Sequence, residues 1–215
     1  MKGRLMDRRI SVVTPVKNRA KLIVDTIESF LNQNFQDFEM IIVDDHSIDN
    51  TIESILTIKD PRIKVISLPD EFGQGKACAR NFGNIIACGE IIAVCDSDDL
   101  AEQERLKVIH DAFQTHSEAG IFYSDGEVRD EIAGIIRDRN LKWSEFDLQR
   151  LLEENYITHS SVAYRKEIAT SYPYNPFFIH SEDYELMLRL AKNKVKFICS
   201  PEKLFIQRIH KGRES

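Results

Sequence analysis

The first hundred residues alternate short β-branched runs with helical periodicity, and this alternation constrains the fold more than any other feature of the chain. The runs predict strands over residues 10–15, 38–43, 62–68 and 91–95. The segments between them predict helices over residues 20–32, about 50–60 and 76–88. Strands separated by such helices imply right-handed crossovers and a mostly parallel sheet covered by helices on both faces. We therefore expect an α/β fold whose ligand site lies beyond the carboxyl ends of the strands.

The second hundred residues are less regular, and no linker or internal repeat divides the chain. Helices are predicted over residues 106–113, 146–153 and 183–192. Strands are predicted over residues 120–123, 161–164, 196–199 and 204–209, and the charged stretch 125–139 is expected to form a hairpin. We expect one domain over residues 10–210, with a basic tail at residues 1–9 and a short tail at residues 211–215.

The balance of charges excludes one broad class of partner. The chain has 29 lysines and arginines against 35 aspartates and glutamates, so it lacks the basic face that general nucleic-acid binding needs. Its four cysteines form no C-x-x-C pair and are expected to be reduced thiols. Neither an apolar run of about 18 residues nor a signal-peptide core is found. We expect a cytoplasmic protein whose basic tail leaves room for peripheral contact with the inner face of the membrane.

The strongest chemical signal is the run Asp96-Ser97-Asp98-Asp99, which directly follows a predicted apolar strand. Carboxylates crowded into one turn repel one another unless a cation compensates their charge. Oxygen ligands of this kind suit Mg²⁺ or Mn²⁺, which take phosphate oxygens and water as their remaining ligands. The alternative is a solvated turn or a helix cap, in which the helix dipole favours Asp99.

Two further acidic pairs lie at the ends of predicted elements. Asp44 and Asp45 end the second strand, where a carboxylate accepts a hydrogen bond from a base or a ribose hydroxyl, or else forms an Asx turn. Glu182 and Asp183 open the last helix. The helix dipole there keeps an acid ionised and able to accept a hydroxyl proton, although simple capping explains the pair equally well.

Several basic side chains are candidates for contact with phosphate. Arg80 is a candidate for binding a diphosphate or for a surface ion pair, and Arg208 for balancing phosphate charge. His210 is a candidate ligand of a cation or a diphosphate. The loop that holds Gly73 and Gly75 matches neither the dinucleotide-binding nor the P-loop pattern. The remaining histidines with no metal-ligand spacing are interpreted as structural or surface residues: His46, His110, His116 and His159.

A series of short segments, most of them at the ends of predicted strands or the starts of helices, carries a further pattern. They are Ser11 to Arg19, Ile41 to Thr51, Ala79 to Gly83, Gly89 to Ala93, Asp96 to Asp99, Ser181 to Leu186 and Arg208 to His210. In this order they resemble glycosyltransferase family 2, the inverting enzymes with the GT-A fold. Lys17 stands where that family usually has an aromatic residue, and His46 where it usually has glycine or a small polar residue.

The resemblance implies a GT-A fold with a nucleotide-sugar-binding half over residues 10–100 and an acceptor half over residues 101–210. It implies that Asp183 is the catalytic base, and that Asp98, Asp96 and His210 are ligands of Mn²⁺ or Mg²⁺. The residues it assigns to the nucleotide-sugar donor are Pro15, Val16, Asn18, Asp44, Asp45, Arg80, Asp96, Ser97, Glu182 and Arg208.

The resemblance also implies an activity. The enzyme would move a sugar from a nucleoside-diphosphate donor, a UDP-sugar foremost, to a hydroxyl of a saccharide or lipid-linked acceptor in cell-envelope polysaccharide or glycoconjugate synthesis. One displacement inverts the anomeric centre while Asp183 takes the hydroxyl proton. Two alternatives stay open. One is a non-catalytic nucleotide- or carbohydrate-binding relative. The other is a sugar-1-phosphate nucleotidyltransferase, which would need a glycine-rich loop after the first strand.

Overall fold

A computed structural model describes residues 10–139 and 145–212. The basic tail predicted at residues 1–9 lies outside these ranges, as does most of the tail predicted at residues 211–215. The elements of the first half are β1 (Ile10–Val16), α1 (Ile23–Leu31), β2 (Phe38–Asp44), α2 (Thr51–Leu56), β3 (Ile63–Ser67), α3 (Lys76–Ile86) and β4 (Ile91–Val94). The elements of the second half are β5 (Leu100–Ala101), α4 (Arg105–Thr115), β6 (Ile121–Asp130), β7 (Ile135–Asp138), α5 (Leu148–Glu153), β8 (Ala163–Arg165), α6 (Lys166–Ser171), α7 (Glu182–Lys192) and β9 (Phe197–Ile209).

The described strands form one mixed sheet, in the order β3-β2-β1-β4-β8-β6-β9-β5, with β7 paired to β6. The four strands of the first half are all parallel, as the alternation of strands and helices predicts. Strand β8 then pairs antiparallel with both β4 and β6, and β6 runs parallel to β9. The predicted α/β fold is confirmed, and the first half presents the carboxyl ends of β1, β2 and β4 at one edge.

The central strands β1, β2 and β4 are buried on both faces, which explains why they read as continuous apolar runs. Val13 and Ile41 point to the face covered by α3 and α7. Val12 and Ile42 point to the opposite face, covered by α1 and α4. Neighbouring residues of one strand pack into two hydrophobic cores on opposite faces of the sheet. Both helical layers are therefore needed to remove these side chains from water.

A buried carboxylate fixes the amino ends of the parallel strands. Glu39 on β2 accepts hydrogen bonds from the Ser11 hydroxyl, the Cys88 amide and the Lys64 ammonium, each at 2.7 Å. Burial alone would raise the pKa of the Glu39 carboxyl, but these hydrogen bonds outweigh it and hold the pKa below its usual range. Gly89 follows, and a Cβ there would lie 2.6 Å from the Ser11 backbone nitrogen, so β1 and the turn before β4 touch backbone to backbone.

Several predicted elements differ from the structure. The strands predicted over residues 196–199 and 204–209 are one strand, β9, whose pairing with β6 shifts register near Asp125. The hairpin predicted within residues 125–139 is confirmed, and because its first strand pairs with β9 over residues 125–130 it is anchored in the sheet. Helix α2 begins after Asn50, whose side chain makes no capping hydrogen bond; Asp49 accepts the Thr51 amide hydrogen at 3.0 Å instead.

None of the helices within residues 10–139 and 145–212 combines the length and the apolar character needed to cross a bilayer.

Candidate active site

A cavity of about 540 Å³ opens beyond the carboxyl ends of β1, β2 and β4. Pro15 and Val16 come from the end of β1, Asp45 from the end of β2, and residues 96–98 from the loop after β4. Residues 74–77, before and within the first turn of α3, form a second wall, and residues between 176 and 180 form a third. The acids that follow β2 and β4, the two strands on either side of β1, therefore share one crevice.

Asp45 is the polar centre of one end of this cavity. The residue is 5% exposed, and its Oδ2 accepts the Gly75 amide hydrogen at 3.1 Å and lies 3.3 Å from the Lys17 Nζ. The other oxygen is 3.3 Å from His46 Nδ1, whose Nε2 lies 3.0 Å from Asp70 Oδ1. Hydrogen bonds to Asp70 and Asp45 raise the pKa of His46. Gly75 and Lys17 at one oxygen and His46 at the other thus orient the Asp45 carboxylate, which still forms part of the cavity wall.

His46 has a φ of +58°, in the left-handed region. A histidine adopts this conformation at some cost, which a glycine would not incur. Its two ring contacts with Asp45 and Asp70 hold the side chain in place.

The acidic loop after β4 divides into two carboxylates that line the cavity, Asp96 and Asp98, and a structural one, Asp99. Asp98 Oδ2 lies 3.3 Å from Arg19 Nε and 3.1 Å from His210 Nε2. Asp96 Oδ1 accepts from Arg80 Nη2 at 2.6 Å. Asp99 is 1% exposed and accepts hydrogen bonds from the Arg208 amide at 3.0 Å and the Ser160 hydroxyl at 2.6 Å. Asp99 therefore holds the loop together, and Asp96 and Asp98 face the cavity.

Arg80 joins this loop to the start of α7. It is 2% exposed, and its guanidinium forms ion pairs with both Asp96 and Glu182 and lies 5.5 Å above the Tyr174 ring. Burial by itself lowers the pKa of Arg80 and raises the pKa of Asp96, because it disfavours the charged form of each. The carboxylates and Tyr174 nevertheless raise the pKa of Arg80, while Arg80 and His159 lower the pKa of Asp96. Of the two roles considered for Arg80, the structure shows the ion pair, and this pair is buried instead of lying on the surface.

Asp183 lies in the first turn of α7, directly after Glu182 and three positions after His180, which lines the cavity. One of its oxygens accepts the Tyr184 amide hydrogen at 2.8 Å. Its side chain is half-buried. Because the preceding residue is tied to Arg80 and through it to Asp96, the position of Asp183 relative to the acidic loop is fixed by a buried ion network.

The predicted donor-binding residues separate into two groups. Those that line the cavity are Pro15, Val16, Asp45, Asp96 and Ser97, and the predicted metal ligand Asp98 lines it as well. The others support it from behind: Asn18 accepts the Ile48 amide hydrogen at 2.9 Å, and Asp44 accepts the Ser47 amide hydrogen at 3.2 Å in an Asx-type turn. The Arg208 guanidinium donates to Asp25, to the Leu22 and Asp98 carbonyls and to Thr26, and is 4% exposed. Arg80 and Glu182 pair with each other.

The structure adds Lys17, Arg19 and His159 to the residues at the site, although the sequence assigns them no role there. Lys17 and Arg19 line the cavity and contact Asp45 and Asp98. His159 is buried, with its Nδ1 3.9 Å from Asp96 Oδ1. The position of Lys17 and Arg19 directly after the first strand is the one sequence signal that points to them. No spacing signal identifies His159, because its partners are distant in sequence.

The donor set beside the cavity suits a divalent cation only in part. Within the described ranges, no three side chains of histidine, cysteine, aspartate or glutamate are assembled as a metal site. Asp98 and His210 are nevertheless adjacent at 3.1 Å, and Asp96 lies on the same loop. Two carboxylates and an imidazole fit Mg²⁺ or Mn²⁺ when a substrate supplies further oxygens.

The mixed sheet and its flanking helices form the fold of GT-A glycosyltransferases, with carboxylates beyond the carboxyl ends of β2 and β4. The chain belongs to glycosyl transferase family 2, whose model matches residues 11–173. The resemblance seen in the sequence is thereby confirmed.

The chain is also similar to individual members of the family. It is 28% identical over 207 residues to the UDP-Glc:alpha-D-GlcNAc-diphosphoundecaprenol beta-1,3-glucosyltransferase WfgD of Escherichia coli, covering 92% of this chain and 78% of that protein. It is 37% identical over 111 residues to the glycosyltransferase GlyG of Streptococcus pneumoniae, covering 51% of this chain and 36% of the relative.

Solved structures share the fold. The S. aureus TarS 1–349 complex with UDP-GlcNAc superposes with a TM-score of 0.80 at 21% identity, over 95% of this chain and 60% of that one. The mannosyltransferase PcManGT of Pyrobaculum calidifontis, in complex with GDP-Man and Mn²⁺, has a TM-score of 0.72 at 18% identity, over 95% of this chain and 58% of that one. The chain thus spans about 60% of the length of these solved glycosyltransferases.

Proposed function

We propose that this glycosyltransferase moves a sugar from a UDP-sugar to an acceptor hydroxyl with inversion at the anomeric carbon. The observation that carries the proposal is the shared cavity, which has an oriented carboxylate, Asp45, at one end and the Asp96 and Asp98 carboxylates at the other. A nucleoside diphosphate suits both ends: its base and ribose carry hydrogen-bond donors for Asp45, and its negatively charged phosphates would meet Asp96 and Asp98 through a divalent cation.

The Asp45 end suits the edge of a uracil base. A carboxylate accepts the imide N–H, and the Lys17 ammonium beside it is a donor for a neighbouring carbonyl. Pro15 and Val16 supply apolar contacts on the same wall. This pairing of an acceptor with a donor favours uracil over cytosine, whose ring nitrogen at the corresponding position is itself an acceptor.

The diphosphate lies toward Asp98 in this proposal. Asp98 and His210, with Asp96, would hold Mn²⁺ or Mg²⁺ together with the phosphates. When bound there, the cation supplies positive charge to the leaving diphosphate. Arg19 is 3.3 Å from Asp98 and contributes a permanent positive charge at the same place.

Asp183 is the general base in the proposed mechanism. The bond from the acceptor oxygen to the anomeric carbon forms as the bond from that carbon to the phosphate oxygen breaks. The hydroxyl proton passes to Asp183, and the nucleoside diphosphate leaves with the bonding electrons. One displacement of this kind inverts the anomeric centre.

We propose a saccharide or lipid-linked acceptor for the cell envelope. The E. coli relative is described as acting on a sugar linked to diphosphoundecaprenol. In this chain, Phe177 is 91% exposed and Ile179 is 72% exposed beside the cavity-lining residues Pro176 and Phe178. Exposed apolar side chains at this place suit contact with a lipid-linked acceptor, and a location at the inner face of the cytoplasmic membrane would provide one.

The proposal is tested by thermal denaturation with UDP, GDP, dTDP, CDP and ADP, each with and without Mn²⁺. A ligand that binds only the native state raises the melting temperature, and the shift grows with the ratio of ligand concentration to its dissociation constant. UDP is expected to give the largest shift. UDP-sugars that stabilise the protein are then assayed for transfer to lipid-linked and free saccharides, with the anomeric configuration of the product read by NMR. Absence of any stabilisation by nucleoside diphosphates would contradict the proposal, and so would nucleotide-sugar synthesis from a sugar 1-phosphate.

A further inference from the structure

The 3₁₀ turn over residues 159–161 packs directly against the acidic loop after β4, and all its residues are buried. The Ser160 hydroxyl accepts the Asp96 amide hydrogen at 3.2 Å and donates to Asp99 Oδ2 at 2.6 Å. His159, in the same turn, places Nδ1 3.9 Å from Asp96 Oδ1. Since the turn contacts both ends of the loop, it supports the Asp96 carboxylate from the side opposite the cavity opening.

His159 is the end of a buried chain of polar side chains. Its Nε2 lies 2.8 Å from the Tyr174 hydroxyl, which is 3.2 Å from the Tyr164 hydroxyl. The Tyr164 hydroxyl lies 3.2 Å from Asn84 Nδ2, from which it accepts, and 3.3 Å from Asn84 Oδ1, to which it can donate. Burial raises the pKa of both tyrosines, so each keeps its proton. Within the described residues, Nδ1 of His159 is the buried ring atom that has no hydrogen-bond partner.

These contacts determine which ring nitrogen carries a proton. If Asn84 donates to Tyr164, Tyr164 to Tyr174 and Tyr174 to Nε2, the neutral imidazole carries its proton on Nδ1. If the ring is protonated, Nδ1 carries a proton as well. The remaining arrangement would aim a bare Nδ1 lone pair at the buried edge of the Asp96 carboxylate, which electrostatic repulsion disfavours. Nδ1–H therefore faces Asp96 in both favourable arrangements.

Asp96 Oδ1 is then approached by two donors, Arg80 Nη2 at 2.6 Å and His159 Nδ1. Two donors on one oxygen fix the rotation of a carboxylate, whereas Arg80 alone leaves it able to turn about that contact. The side chain keeps 32% of its surface exposed for contact with a ligand. A movement of under about 1 Å brings Nδ1 to hydrogen-bond distance.

We propose that His159 is a positioning residue of the donor site, and that its Nδ1–H holds the Asp96 carboxylate in the orientation that meets the ribose or diphosphate of the donor. The inference rests on the proposed function, since Asp96 is assigned to the donor there. It gives the Tyr174 hydroxyl a defined role, which is to occupy Nε2 and so direct the other N–H toward Asp96.

Two isosteric substitutions separate this role from simple packing. The amide nitrogen of asparagine occupies about the place of histidine Nδ1, and that of glutamine about the place of Nε2. Equilibrium binding of UDP is measured by calorimetry, with and without Mn²⁺, for wild type, His159→Asn and His159→Gln. We expect His159→Asn to bind within about threefold of wild type. His159→Gln is expected to bind at least about tenfold more weakly, the scale of one hydrogen bond to a charged group.

A merely structural role for His159 predicts the reverse order, because glutamine retains the contact with Tyr174 and asparagine loses it. Equal affinity of the two variants, or tighter binding by His159→Gln, would therefore overturn the inference. If wild type bound no nucleoside diphosphate, the proposed function would fall with it, so the two failures are distinguishable.

A second variant tests the same point with the histidine in place. Tyr174→Phe removes the donor to Nε2 and is expected to weaken UDP binding by about three- to tenfold. Tyr123→Phe removes another buried tyrosine hydroxyl, which faces Tyr156 and Cys199 instead of this chain of contacts, and is expected to change the affinity by less than about twofold. Melting temperatures identify the range in which each variant is folded, and binding is compared there. Equal effects of Tyr174→Phe and Tyr123→Phe on affinity would contradict the role given to Tyr174.

Discussion

Replacing Arg80 with methionine tests the buried ion network that ties the acidic loop to α7. Arg80 is 2% exposed and its partner Glu182 is 3% exposed, so the substitution leaves the Glu182 carboxylate buried beside an apolar side chain. Removing one partner of a buried ion pair costs about 3–5 kcal/mol. Loss of the guanidinium from above the Tyr174 ring, 5.5 Å away, adds about 0.5–1 kcal/mol. We expect Arg80→Met to lower the free energy of unfolding by about 4 kcal/mol.

Equilibrium urea unfolding, followed by far-UV circular dichroism, measures this loss. With an m-value of about 2–3 kcal/mol/M, a loss of about 4 kcal/mol lowers the midpoint by roughly 1.5–2 M. Lys107→Met is the matched control, because it breaks an i,i+4 ion pair with Asp111 in which both side chains are half exposed. That pair is expected to contribute less than about 0.5 kcal/mol.

The double variant Arg80→Met, Glu182→Leu distinguishes an unpaired buried charge from a general loss of packing. Replacing both partners of a buried pair by apolar residues is often close to neutral, so at least half of the stability lost in Arg80→Met is expected to return. A loss below about 1 kcal/mol in Arg80→Met would refute the reasoning, and so would a double variant no more stable than the single one.

Further outcomes are expected. Asp183→Asn keeps UDP affinity but lowers transfer at least about a hundredfold in a radiolabelled-sugar assay, and full turnover would remove Asp183 as the base. Asp98→Ala abolishes the additional Mn²⁺-dependent rise in melting temperature with UDP, which Asp111→Ala on the surface of α4 retains. Lys17→Met weakens UDP binding about tenfold and CDP binding by less than about twofold in calorimetry, so an equal loss for both nucleotides would exclude base recognition by Lys17. The pKa of Glu39 is held low in the native state, so the ionised carboxylate stabilises the fold at every pH above its pKa in the unfolded chain. This stabilisation is lost as the pH falls toward the pKa of Glu39 in the native state. Glu39→Gln is therefore expected to lower the free energy of unfolding at neutral pH and to make it depend less steeply on pH in acid.

The parallel half of the fold could be predicted because each of its strands carries a period and a length that few other structures share. The sequence around Ser200-Pro201 predicts a break between two strands where the structure has the single strand β9. A single sequence does not show that the pairing with β6 continues past a bulge. Strand β5 has two residues, too few to leave a pattern. Its existence depends on antiparallel pairing with β9, more than 100 positions away.

The candidate site divides on the same principle. Asp45, Asp96 and Asp98 could be placed in one crevice from the sequence, because parallel strands bring their carboxyl ends to one edge of the sheet. The surroundings of Arg80 and Arg208 could not be predicted, because an arginine on a helix or strand has the same local pattern whether it meets a ligand or a buried acid. Asp96 is 16 positions from Arg80, but Glu182 is 102 positions from Arg80 and Leu22 is 186 positions from Arg208, so these partners are brought near only by the completed fold.

Stability alone does not explain the buried ion pairs of Arg80, because apolar side chains of similar volume can often replace a buried ion pair without lowering the free energy of unfolding. The network connects two parts of the proposed reaction: Asp96, which is held ionised at the donor, and the first turn of α7, which carries Asp183. If this connection is what the ions provide, the double variant should recover stability but not function. We expect it to unfold near the wild-type midpoint, to bind UDP at least about tenfold more weakly because Asp96 has lost a charged donor, and to transfer sugar more slowly even at saturating donor. Wild-type donor affinity and turnover in a stably folded double variant would mean that Arg80 serves only to neutralise Glu182.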